Sequence, residues 1–163
     1  MSEALLSRPA VKRVAAALEA AGSAGEVIAL SETARTAQDA ADAIGCPLGA
    51  IVKSLVFAVE GRAVMVLVAG DRRCETDALP AALGLAGKVR RADADMVREA
   101  TGFSIGGVAP VGHPAPIPIV IDASLDRFDR IYAAAGHPHC VFATSVADLK
   151  RITGAETDAS VAS

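Results

Sequence analysis

Apolar positions recur first at helical spacing. Val11, Val14, Ala15 and Leu18 share one face while Lys12, Arg13 and Glu19 point elsewhere, which predicts a helix over about 8–21, stopped by Gly22. Val27-Ile28-Ala29-Leu30 predicts a short strand. Thr36 is placed to cap a helix over about 37–44, with Gln38 and Asp39 in its first turn and Ala40, Ala41 and Ile44 inward; Gly45 and Pro47 end it. The period then changes. Residues 50–59 and 62–70 are apolar at nearly every position and flank Glu60-Gly61, the pattern of a hairpin covered on both faces. Alternation puts Lys53, Leu55, Phe57 and Val59 on one side of its first strand.

The second half alternates short elements. A helix is expected over Glu75 to Leu83 with an irregularity at Pro80, a basic strand at Lys88 to Arg91, and a helix over Asp93 to Ala100 ended by Gly102. A strand is expected over 117–122, a turn capped by Ser124 through Phe128, and strands at Arg130 to Ala135 and Cys140 to Ala143 about a Gly136–His139 turn. Ser145 caps a last helix to about Ile152. Ala155 to Ser163 reads as a frayed tail after one domain spanning 1–154, with no internal repeat or linker.

Composition narrows the classes. At 163 residues and 52% hydrophobic content, the chain can bury one substantial core; with no Trp, one Tyr and four Phe, that core is aliphatic. No apolar run approaches the roughly 20 residues of a membrane helix. The N-terminus lacks the basic and apolar segments of a signal peptide. Three scattered cysteines fit reduced thiols in a cytoplasm. A net charge of −3 argues against non-specific coating of nucleic acid, while leaving room for a small site for one RNA end.

Two features carry candidate chemistry. The loop Thr101-Gly102-Phe103-Ser104-Ile105-Gly106-Gly107-Val108-Ala109-Pro110-Val111-Gly112-His113 joins flexible glycines to a fixed proline. Its Gly106 and Gly107 can offer backbone N–H groups to a ligand, or it can be a turn for chain reversal alone. Lys53 sits inside an apolar strand, where an ammonium must reach water or be paired; it either snorkels out or grips an anion or carbonyl in a pocket. His137 and His139, with His113, raise a metal hypothesis, but no acidic or cysteine partner has ligand spacing. There is no G-x-S-x-G elbow and no P-loop. A lysine and a backbone donor loop suit holding a carbonyl and its developing oxyanion while water attacks.

Together, Ile51-Val52-Lys53-Ser54-Leu55-Val56-Phe57, the glycine loop and Pro118-Ile119-Val120-Ile121-Asp122 resemble the YbaK/EbsC family, over about Ala34 to Ile152. This is the trans-editing group related to the insertion domain of bacterial prolyl-tRNA synthetase. The resemblance implies a single α/β (mixed α+β) domain, with a mostly antiparallel, barrel-like sheet surrounded by helices. It implies hydrolysis of the ester between a wrong small amino acid and a tRNA 3′ end, typically tRNA(Pro), without metal or other cofactor and with prolyl-tRNA synthetase as a possible partner. By position, Lys53 matches the family's pocket lysine, and Gly106, Gly107 and Pro110 its glycine–proline loop. Where cysteine-editing members carry a serine and glycines, this chain has Ala133-Ala134-Ala135-Gly136, and His137-Pro138 resembles the His-Pro pair of an alanine-editing branch. Ala134 and His137 are therefore candidate substrate contacts, and the amino acid stays open among Cys, Ala, Ser and Thr. The competing class is a module that binds a tRNA end or nucleotide without turnover.

Overall fold

A computed structural model describes residues 2–30 and 35–163; Ala34, where the family resemblance was expected to begin, lies outside the described residues. The chain begins with α1 (Ser2–Leu6), which the sequence pattern did not predict, and α2 (Pro9–Ala20). Val11, Val14 and Leu18 are buried on α2, whereas Ala15 is exposed, so the buried stripe is narrower than expected. β1 (Val27–Ala29) and α3 (Ala37–Ile44) follow. Thr36 caps α3 by accepting from Asp39 N, and Asp39 answers by accepting from Thr36 N.

β2 (Val52–Val59) and β3 (Arg62–Ala69) form the hairpin. Glu60 and Gly61 both take positive φ, 50° and 79°, which matches the right-handed twist of the strands they join. After α4 (Leu79–Leu83), β4 (Val89–Arg91) and α5 (Ala94–Thr101) comes the glycine loop, then β5 (Ile119–Asp122). β6 (Ile131–His137), β7 (Cys140–Thr144), α6 (Val146–Thr153) and β8 (Glu156–Asp158) complete the order.

Two sheets result, ordered β1-β7-β6 and β4-β2-β3-β5-β8, with β3–β5 and β5–β8 parallel and the remaining pairs antiparallel. They meet at a parallel bridge between Ile51 and Tyr132 and do not close into the expected barrel. β3 is the centre: Met65, Leu67 and Ala69 face the main core with Ile121, Ile131, Ala133 and Phe142, while Val66 and Val68 face a smaller cluster with Leu79, Val120 and Val161. This two-sided burial accounts for the unbroken apolar run in the sequence.

Two expectations change. The tail is not frayed: β8 pairs in parallel with β5, Val161 is fully buried, and Ser163 exchanges backbone hydrogen bonds with Arg73. The short helix at 123–127 is capped by Asp122, which accepts from Ser124 N and Ser124 Oγ, not by Ser124. Asp122 is buried and also accepts from Ala69 N, tying β5 to the end of β3. Among the described residues no helix is long and apolar enough to cross a membrane.

Candidate functional site

The site starts from an unfinished strand edge. β4 pairs only with Phe57, Ala58 and Val59, and the bridge to Tyr132 engages Ile51. Among the described residues, Val52 to Val56 therefore have a strand partner on the β3 side alone. A cavity of about 610 Å³ opens along that edge. Its walls are β2, the start of α3 at Ala37 and Ala40, the glycine loop at Ile105, Gly106 and Val108, and the β6–β7 hairpin at Ala134, Pro138 and Cys140. The lining is mainly apolar. Among the described residues its charges are Arg35, Lys53 and Arg91, with no acidic residue. That volume falls within the range of small-ligand sites.

Lys53 and Ser54 divide the strand between its two faces. Val52 and Val56 pack into the main core, and Leu55 and Phe57 against the smaller cluster. Alternation puts Lys53 with Leu55 and Ser54 with Val52. The Lys53 ammonium donates to the Arg72 carbonyl at 2.6 Å, in the loop leaving β3. An ammonium carries three donors, so two remain. Ser54 has the opposite character: its Oγ is buried and, among the described residues, has no hydrogen-bond partner. Sequence reasoning passed over Ser54. The available signal was a lone hydroxyl on the inward, apolar side of the lysine strand.

The glycine loop is anchored from several directions. Thr101 Oγ1 is buried, donates to Val97 O at 2.6 Å and accepts from Phe103 N at 3.1 Å. Arg13 of α2 donates to Gly102 O and lies over the Phe103 ring at 4.5 Å. His113 Nε2 donates to Ala109 O at 2.8 Å; burial, and then the nearby Arg13 charge, hold its pKa below the ordinary value even though this hydrogen bond raises it. Gly106 lies third in the turn Ser104–Gly107 with φ of 97°, as a type II turn requires. Its side of the turn lines the cavity, next to Ile105, which is 63% exposed.

The remaining expected site residues lie apart from the lining. The Gly107 amide donates to Ser104 O at 3.1 Å, so it is engaged within the turn. Gly107 instead permits contact: an added Cβ would stand 2.8 Å from His137 Cα. Pro110 is buried behind the loop. His137 stands beside the cavity, whose wall there is Pro138. Its Nδ1 accepts from His139 N at 3.1 Å, which leaves the neutral ring's proton on Nε2. Burial, then the charges of Arg8 and His139, lower its pKa and favour that neutral form. The two rings meet edge to face at 5.2 Å. Lys53, Gly106 and Ala134 thus share one lining; Gly107, Pro110 and His137 support it from behind. Cys140 also lines the cavity, and burial raises its thiol pKa, away from a thiolate nucleophile. Among the described residues no group of three or more His, Cys, Asp or Glu could hold a metal ion.

A mixed-sheet domain with one apolar, cation-bearing cavity under a glycine loop is the class these features define. The chain belongs to the aminoacyl-tRNA editing domain family, whose model matches residues 31–152. YwhH of Bacillus subtilis, itself uncharacterised, is 33% identical over 112 residues, 68% of this chain and 70% of that protein. The proline–tRNA ligase of Desulfovibrio desulfuricans is 37% identical over 120 residues, but the match spans only 20% of the ligase. A crystal structure described as "a putative trans-editing enzyme for prolyl tRNA synthetase" superposes with a TM-score of 0.87 at 40% identity, covering 93% of this chain and 96% of that one.

Proposed function

We propose that this domain acts in trans to hydrolyse the ester of a small amino acid wrongly attached to tRNA, with tRNA(Pro) as the substrate. One observation carries the reading within an aminoacyl-tRNA editing domain: among the described residues, the cavity combines apolar walls, suited to a small side chain, with three cations and no acid, suited to a nucleic-acid end. The likeness to the trans-editing structure and to part of proline–tRNA ligases supports the choice of tRNA. The two remaining donors of Lys53 would engage the 3′-terminal nucleotide, and the Gly106 amide would face the aminoacyl ester. Ala134 would bound the amino-acid side chain, leaving Cys, Ala, Ser and Thr as candidates, because one methylene changes binding by only ~1–3 kcal/mol.

In the reaction, the water oxygen bonds to the ester carbon and the bond to the ribose oxygen breaks. One water proton ends on that ribose oxygen, and the other leaves with the carboxyl group. Among the described residues the lining offers no Asp, Glu or His as general base. A second water or the neighbouring ribose hydroxyl would relay the proton. That same lack of a base favours a second reading, a module that binds the tRNA end without turnover. Release of amino acid from tRNA(Pro) charged with Cys, Ala, Ser or Thr separates the two. Turnover on one of them, falling on the order of 10²-fold in Lys53→Ala with an unchanged circular dichroism spectrum, supports the enzyme. Binding with no release on all four supports the module.

A further inference from the structure

The cavity's least explained group is the Ser54 hydroxyl. Its oxygen is buried and, among the described residues, unpartnered, in a lining that also includes Val52, Val56, Val97 and Val108. An unmet buried hydroxyl destabilises a fold, and alanine would fill the position without that cost. The strand does not need the hydroxyl for its ladder, since Ser54 pairs with Leu67 through the backbone. Among the described residues nothing partners it, and a molecule held in the cavity is placed to do so. Ser54 lies beside Lys53 on β2, while Gly106 belongs to the glycine-loop wall of the same cavity. We propose that Ser54 is a substrate-contacting residue whose hydroxyl donates a hydrogen bond to the ester carbonyl oxygen and holds it as it becomes an oxyanion.

This rests on the hydrolytic reading above and adds a residue to it. The chemistry fits the surroundings. A hydroxyl among apolar side chains acts at a lower local dielectric than bulk water, so a developing negative charge gains more from it than it would in solvent. Ser54 transfers no proton; it keeps its own and only donates. The ester carbonyl is an acceptor, and the lining's cations stabilise the same charge.

The test uses the full chain and three variants, Ser54→Ala, Ser54→Cys and Ser54→Thr. In Ser54→Ala, kcat on the susceptible aminoacyl-tRNA is expected to fall on the order of 10²-fold with KM nearly unchanged. Its melting temperature is expected to equal or exceed that of the wild type, because an unmet polar group has been removed. Ser54→Cys, with a weak donor of similar shape, should stay near the alanine value, and Ser54→Thr should recover part of the rate. A lowered melting temperature with kcat retained would make Ser54 structural and overturn the proposal, as would a rise in KM alone. A second measurement separates this inference from the hydrolytic reading. The probe is an aminoacyl-adenosine whose ester carbonyl is replaced by a phosphonate, a stable mimic of the tetrahedral oxyanion rather than of the ground-state ester. If the wild type binds it, releases no amino acid from any tRNA, and Ser54→Ala binds it about tenfold more weakly, the contact stands and hydrolysis falls. Equal affinity of wild type and Ser54→Ala overturns the contact.

Discussion

At Gly107 an added Cβ would stand 2.8 Å from His137 Cα and 2.9 Å from its N, both backbone atoms of a bulged strand that has little room to yield. Gly107→Ala is therefore expected to cost about 1–3 kcal/mol in urea unfolding and to shift the loop that carries Gly106. Gly106→Ala meets a different obstacle. Its nearest neighbour would be Pro138 Cγ at 3.6 Å, ordinary contact, but its φ of 97° strains any residue with a side chain. Adjacent glycines thus serve one loop by two mechanisms, and unfolding measurements on the pair should both show a loss. His113 adds a pH dependence. Burial, ahead of the Arg13 charge, lowers its folded pKa below the ordinary 6.5. The unfolded chain then binds the extra proton more readily, so stability is full above pH 6.5 and drains as pH falls through the folded pKa. His113→Gln should flatten that part of a stability–pH profile; an unchanged profile would remove His113 as its source.

At the scale of elements, the hairpin was legible because a two-residue turn and two apolar runs specify each other. The helices at 37–44 and 146–153 were legible from their caps, Thr36 and Ser145, each of which accepts a backbone N–H in the structure; the helix at 94–101 was legible from its Gly102 stop, while Asp93, read as its first residue, is its cap. What the sequence did not display was long-range pairing. β8 is three residues, Glu156–Asp158, with no strand-like composition, and it exists because β5 offers it a parallel edge. The candidate site was half legible for a similar reason. The lysine strand and glycine loop could each be read locally, but which face of β2 borders the core depends on β3 and β4. Hence Lys53 was noticed and Ser54 was not. The tail gives a direct test. Val161 is fully buried, packed with Leu79, Val66, Val68 and Val120. Val161→Ala should cost about 2 kcal/mol, and deletion of 155–163 considerably more, since it uncovers the whole smaller cluster. Equal midpoints in urea for the full and shortened chains would show that β8 adds nothing to stability.

For the whole molecule, the placement of charge matters more than its sum. The chain carries a net charge of −3, yet among the described residues the cavity lining holds Arg35, Lys53 and Arg91 and no acid. Neither Arg35 nor Arg91 forms a salt bridge among the described residues, so both guanidinium groups are available to an anion. A negative molecule gains no general attraction to RNA; only a strand whose phosphates reach this mouth is held. Under the proposed function, binding of a short single-stranded RNA with the tRNA 3′ sequence should weaken with salt in proportion to the few phosphates touched. Each contact contributes a slope of about −0.7 in log K against log salt, so two contacts lose roughly sevenfold in affinity between 50 and 200 mM. Arg35→Gln and Arg91→Gln should each reduce the slope by about 0.7, while an exposed arginine remote from the cavity, such as Arg62, should leave it unchanged when replaced by Gln. Fluorescence titrations at four salt concentrations measure these slopes. Identical slopes for wild type, Arg35→Gln and Arg91→Gln would show that the nucleic-acid backbone leaves the cavity by another route.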